Sequence, residues 1–126
     1  MTQPLAAFLA QPPTDDRLVV VALCASWCGT CREFAATFAD LAATHADMAF
    51  VWADVEDDAD LLGDLDVENF PTLALYRAGT PLHFGVSLPQ PPVVARLIEA
   101  VAKHGAPGTA EFAEEVCELG ERLVGR

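Results

Sequence analysis

Hydrophobic and polar positions along the 126-residue chain fall into stretches of different period. Leu18-Val19-Val20-Val21-Ala22-Leu23-Cys24-Ala25 is an unbroken apolar, β-branched run, as a strand buried on both faces requires. Cys31, Phe34, Ala35, Phe38, Leu41 and Ala42 then recur at three- and four-residue intervals, one face of a helix that should fade near Ala43 to His45. Met48 to Val55 reads as a second strand; a helical crossover makes this pair parallel and right-handed. Leu73 to Arg77 is a third strand. After the turn Ala78-Gly79-Thr80, Pro81 to Val86 returns antiparallel, and Pro81, which has no N–H to donate, suits an edge strand or a strand start. Pro89 to Pro92 open a helix with the stripe Val93, Val94, Leu97, Ile98 and Val101, closed by Lys103-His104-Gly105.

The flanks are weaker. Pro4 to Ala10 predicts a small helix, broken by Pro12-Pro13-Thr14-Asp15-Asp16, with no earlier strand evident. Between Asp54 and Glu68 lie eight carboxylates over a faint stripe of Ala59, Leu61, Leu62 and Leu65. A segment so polar reads as a solvated face rather than as paired acid–base groups. Beyond the loop 106–108, a last amphipathic helix capped by Thr109 carries Phe112, Val116, Leu119 and Leu123 on one side, which either packs on the domain or faces a partner. The expectation is one α/β domain over residues 1–126, with a core at about 17–104 and an additional helix at 109–124, built on a central mixed sheet of about four strands.

Composition narrows the function classes. With 52% hydrophobic and 21% charged residues the chain is globular. Seven basic against 19 acidic residues leave a net charge of −12, which argues against nucleic acid or an anionic membrane as partner. The same charge keeps a domain soluble, or selects basic partners. No apolar segment approaches a membrane span, and the start Met1-Thr2-Gln3-Pro4-Leu5 lacks the basic flank and apolar core of a signal peptide. A cytoplasmic location is expected, where thiols stay reduced and a CxxC pair is catalytic more often than structural.

The candidate chemistry is Trp27-Cys28-Gly29-Thr30-Cys31, where the first strand gives way to the first long helix. Unpaired N–H groups and the positive end of the helix dipole favour the attacking thiolate at Cys28, and Cys31 can reach back one helical turn. Two other readings are open. Half of a zinc site lacks its matching half: Cys24 and Cys117 are isolated, and His45, His83 and His104 show no ligand spacing. A static disulfide would have no need of an exposed helix start. Cys117, beside an apolar stripe, reads as a small buried residue, and the histidines as surface or cap-adjacent ones.

Strand, WCxxC at a helix start, second strand, acidic helix, then Phe70-Pro71-Thr72 opening a hairpin: this order resembles the thioredoxin family from about Arg17 to His104. The resemblance implies a three-layer α/β/α fold and a cis Pro71 opposite the dithiol. That proline would block metal capture and leave the preceding backbone free to pair with a substrate strand. By the same resemblance Trp27, Gly29, Thr30, Phe70, Pro71, Thr72, Gly85 and Val86 line a substrate groove. Cys28 is then the nucleophile and Cys31 the resolving thiol of a redox-active Cys28–Cys31 disulfide, and Arg32 favours the thiolate. No metal and no cofactor besides that disulfide are implied. The partners would be protein disulfides and an upstream thiol reductase, the chain acting as a monomer.

Three departures stand out. Where the family usually buries an aspartate this chain has Ala22, and the lysine that commonly partners it falls near Trp52; losing both together avoids an unpaired buried charge. The middle dipeptide is Gly29-Thr30 rather than Gly-Pro, and Ala36 stands in place of the helix-kinking proline. A cytoplasmic protein-disulfide reductase is the leading expectation. A binding or assembly module with a vestigial CxxC is the alternative, and an oxidant or isomerase would require export.

Overall fold

The computed structural model describes residues 2–63, 65–105 and 112–124. The elements run β1 (Thr2–Pro4), α1 (Leu5–Ala10), β2 (Leu18–Cys24), α2 (Gly29–Thr44), β3 (Ala49–Asp54), α3 (Ala59–Leu62), β4 (Thr72–Arg77), β5 (Thr80–Val86), α4 (Pro91–His104) and α5 (Glu114–Arg122). The expected loop 106–108 and the Thr109 cap lie outside the described residues.

The sheet has the order β1-β3-β2-β4-β5. β3 runs parallel to β2 as a helical crossover demands, while β4 is antiparallel to β2 and β5 antiparallel to β4. All seven residues of β2 are buried, which explains why its sequence does not alternate. A fifth strand was not anticipated: β1 pairs parallel to β3, Thr2 opposite Phe50 and Pro4 opposite Trp52. Its Gln3 and Pro4 side chains are exposed, so it is held through backbone hydrogen bonds that leave no apolar pattern in the sequence.

The two-residue period of β2 sorts the core into two layers. Leu18, Val20, Ala22 and Cys24 face α2 and α4, meeting Cys31, Phe34 and Phe38 of the one and Val94, Ile98 and Val101 of the other. Val19, Val21 and Leu23 face the opposite way, onto Leu5 and Phe8 of α1, Leu62 of α3 and Val116 and Leu119 of α5. The last helix therefore packs on the domain. Its Gly120 passes so close to the β4–β5 turn that a Cβ there would strike the Gly79 carbonyl and sit 2.9 Å from the Tyr76 ring. The Tyr76 hydroxyl donates to the Val116 carbonyl at 2.9 Å. α3 is shorter than its stripe suggests, ending at Gly63, whose φ of 62° lies in the left-handed region that glycine tolerates. Gly105, at φ 70°, closes α4 by donating to the Val101 carbonyl at 2.8 Å.

Candidate functional site

The end of β2 and the start of α2 set the site. Cys28 is the N-cap of α2: its N–H donates to the Ala25 carbonyl at 3.1 Å, and its carbonyl accepts from Arg32 N–H at 3.1 Å. It is half-buried and free. Cys31, one turn on, points inward and is 1% exposed. The intervening Gly29 and Thr30 are exposed, and a Cβ at Gly29 would meet nothing within 4 Å.

The turn before Cys28 is tied down by one carboxylate. Asp54, the last residue of β3, accepts from Ser26 N–H through Oδ2 at 2.9 Å, and from Glu56 and Asp57 N–H through Oδ1, each at 2.9 Å. Its own N–H donates to Asp58 Oδ2 at 2.9 Å. Part of the acidic segment is thus structural. Glu56 also accepts from the Trp27 indole N–H.

Trp27 is 61% exposed and meets Phe70 edge-on, ring centroids 5.5 Å apart, which sets the WCGTC loop beside the loop that precedes β4. The Phe70–Pro71 bond is cis. Pro71 is buried, and its carbonyl accepts from Ser87 N–H at 3.0 Å, joining it to the end of β5. Thr72 pairs with Val86 across that hairpin, but it is only 5% exposed and its hydroxyl donates to the Asn69 carbonyl at 2.7 Å. Thr72 therefore helps shape the loop, and it lines the depression beside it. A depression of about 360 Å³ runs from Glu68 and Asn69 to Gly85 and Val86. Val86 and Leu88 are 60% and 64% exposed, and Leu88 extends the apolar rim beyond the residues singled out in the sequence.

Beneath the loop lies the main departure from expectation. Cys31 is placed against Cys24, with a Cα–Cα separation of 5.7 Å that brings the two sulfurs near disulfide distance. Cys24, read from the sequence as isolated, is therefore not isolated: it neighbours the second cysteine of the CxxC motif. The cause is orientation: Cys24 is the last α2-facing position of β2 and Cys31 the first sheet-facing position of α2, while Cys28, at the N-cap, is only partly buried against the same cluster. The signal was present in the sequence, since Cys24 shares the parity of Val20 and Ala22. Arg32 is exposed, on the side away from the core.

The two positions where the resemblance would place a buried ion pair are neighbours in the sheet. Ala22 lies opposite Trp52 in the β2–β3 register, and the Trp52 ring meets Phe34 at a tilt and Phe38 edge-on, at centroid distances of 6.4 and 5.8 Å. Among the described residues no cluster of three His, Cys, Asp or Glu side chains is placed to hold a metal ion, and no helix is long and apolar enough to cross a membrane. His45 caps α2, its Nδ1 2.9 Å from the Leu41 carbonyl and its Nε2 3.3 Å from Glu99 of α4. His83 is half-buried, and its Nε2 has no hydrogen-bond partner among the described residues.

A family model described as Thioredoxin matches residues 5–88. The chain belongs to the thioredoxin family. A thioredoxin from Fasciola hepatica is 26% identical, superposing with a TM-score of 0.60 over 71% of this chain and 83% of its own. The germline-specific thioredoxin Deadhead of Drosophila melanogaster is 27% identical, at a TM-score of 0.58 over the same shares. Oxidised thioredoxin from Plasmodium falciparum, 21% identical, shares the fold over 81% of this chain and 99% of its own, at 0.65. No curated protein matches in sequence. Within a thioredoxin fold, a thiol at the α2 N-cap and a second sulfur pair directly beneath it support thiol–disulfide chemistry at the level of the family.

Proposed function

We propose that the chain is a protein-disulfide reductase of thioredoxin type. The observation that carries this reading is the placement of Cys28: a free, half-buried thiol at a helix N-cap, next to an exposed tryptophan that touches the residue before a cis proline. Turnover starts from the reduced chain. The Cys28 thiolate attacks one sulfur of a client disulfide and expels the other as a thiolate, leaving a mixed disulfide. Cys31 then attacks the Cys28 sulfur and expels the client's second thiolate. The client gains two electrons, and Cys28 and Cys31 lose them as they join. An upstream thiol reductase returns those electrons.

Trp27, Phe70, Val86 and the backbone around Pro71 give the client an apolar, extended seat, with Gly29 and Gly85 leaving room for its main chain. The reading includes a cytoplasmic, monomeric protein needing no cofactor besides its own cysteines. Insulin reduction by dithiothreitol tests it. The intact chain should accelerate precipitation of the insulin B chain, Cys28→Ser should return it to background, and Cys31→Ser should accumulate a client mixed disulfide. No acceleration by the intact chain would end the reductase reading. A Cys28→Ser/Cys31→Ser variant that still retained a cellular partner would favour the binding-module alternative instead.

A further inference from the structure

The reductase cycle uses two cysteines, yet the structure places the second of them near disulfide distance from a third. Cys24 is 0% exposed and Cys31 1% exposed, whereas Cys28 is reachable from solvent. Two sequence periods enforce this geometry. Every second residue of β2 faces α2, so Cys24 follows Leu18, Val20 and Ala22 onto that side. Cys31, Phe34 and Phe38 form the inward stripe of α2, so the first inward position of the helix meets the last inward position of the strand. Cys31 therefore lies one helical turn from Cys28 and directly across from Cys24, within disulfide reach of it.

We propose that Cys24 is a third redox residue and that Cys28, Cys31 and Cys24 form an inward relay. Once Cys28 and Cys31 have joined, the Cys24 thiolate attacks the Cys31 sulfur. The Cys24–Cys31 bond forms, the Cys28–Cys31 bond breaks, and Cys28 leaves as a thiolate. One S–S bond replaces another, the proton lost by Cys24 is balanced by one gained at Cys28, and no electrons enter or leave. No outside oxidant is needed for this step. The oxidised chain then holds its disulfide in the core and again presents a free thiol at its surface.

The consequence is a second kind of encounter. An oxidised chain can attack another client disulfide through Cys28, but Cys31 is engaged and cannot resolve the product. The mixed disulfide persists until the core disulfide is opened, so the oxidised form captures clients that the reduced form would release. The relay begins where the proposed reductase cycle ends and rests on that reading for its first step, but the final pairing can be read without any client.

The test is the connectivity of the full-length chain, fully reduced, oxidised with diamide, quenched with acid, alkylated under denaturing conditions and mapped by peptide mass spectrometry. At completion the major linkage should be Cys24–Cys31 with Cys28 alkylated; at early times Cys28–Cys31 should precede it. Any other major linkage at completion would overturn the relay. In Cys24→Ala the sequence should halt, with Cys28–Cys31 as the end product and Cys28 closed to alkylation. A Cys28 that stays alkylatable in that variant would also overturn it. A chain that fails to reduce insulin yet maps to Cys24–Cys31 would lose the reductase reading and keep the inner disulfide; the converse result would do the opposite.

Discussion

The two faces of the sheet are built from the same strands and put to different uses. On the α2 and α4 side the core runs without a break from Leu41 and Phe50, through Phe38, Phe34 and Ala22, to Cys31 and Cys24, so packing and chemistry share one layer. On the α1, α3 and α5 side the core closes on itself through Tyr76, Val116 and Gly120, and among the described residues no sulfur belongs to its buried set. Cys117 lies at that rim, half-buried, its sulfur 4.0 Å from the Phe112 carbonyl. Alternate residues of a single strand thus separate the layer that carries Cys24 and Cys31 from the layer that seats α5. Damage to the first should be felt at the cysteines, and damage to the second in stability alone.

The strongest challenge to that contrast is Phe38→Ala. Phe38 is fully buried, with ring centroids 5.8 Å from Phe34, 5.2 Å from Phe50 and 5.8 Å from Trp52. Emptying the site should cost about 3–5 kcal/mol in urea unfolding. Because Phe38 shares a stripe with Cys31, it should also speed alkylation of Cys31 in the reduced protein. Gly120→Ala is the matched lesion on the other face. The new methyl collides with the Gly79 carbonyl and the Tyr76 ring, at an expected cost of about 1–3 kcal/mol, with Cys31 alkylation unchanged. Faster alkylation in Gly120→Ala would erase the distinction between the two layers.

Tyr76→Phe should have a smaller effect, about 0.5–1.5 kcal/mol, for the loss of the phenol's bond to the Val116 carbonyl. Burial, with the Cys117 sulfur nearby, holds the Tyr76 phenol above its ordinary pKa of 10.0. The unfolded chain ionises first, so the stability this group contributes is present below pH 10 and falls as pH rises beyond it. Tyr76 is the chain's one tyrosine, and its phenolate absorbance should stay absent in alkali until the fold gives way. The least change is expected at His83 on β5, whose pKa burial lowers below 6.5. Its contribution is complete above pH 6.5 and declines as pH falls from there toward the lower folded value. In His83→Gln the unfolding midpoint should vary less with pH across that interval than in the native sequence.

How far the sequence could be read depended on where each element draws its stability. β2 and α2 were legible because side-chain burial holds them, and burial writes a period. β1 was not, since three residues joined to β3 through the backbone leave no such trace. α3 was overextended because Leu65 continues the stripe past Gly63, where the chain turns. In the site, Cys28 and Cys31 were legible from the CxxC spacing at a strand-to-helix junction, while Trp27, Phe70, Pro71 and the end of β5 came from the resemblance to the thioredoxin family. The Cys24–Cys31 pair needed the phase of a strand and the phase of a helix to be read together, and treating cysteines by their spacing along the chain hid it.

The Asp54 carboxylate sets a condition on transplanting this site. It fastens the turn at Ser26 to the acidic segment at Glu56 and Asp57, two stretches remote in sequence that meet at one side chain. Moving Ser26 to Cys31 alone into another scaffold would leave the Ser26 amide without its acceptor and the indole without Glu56. The smallest portable unit is therefore discontinuous, and an engineer would have to carry both segments or neither.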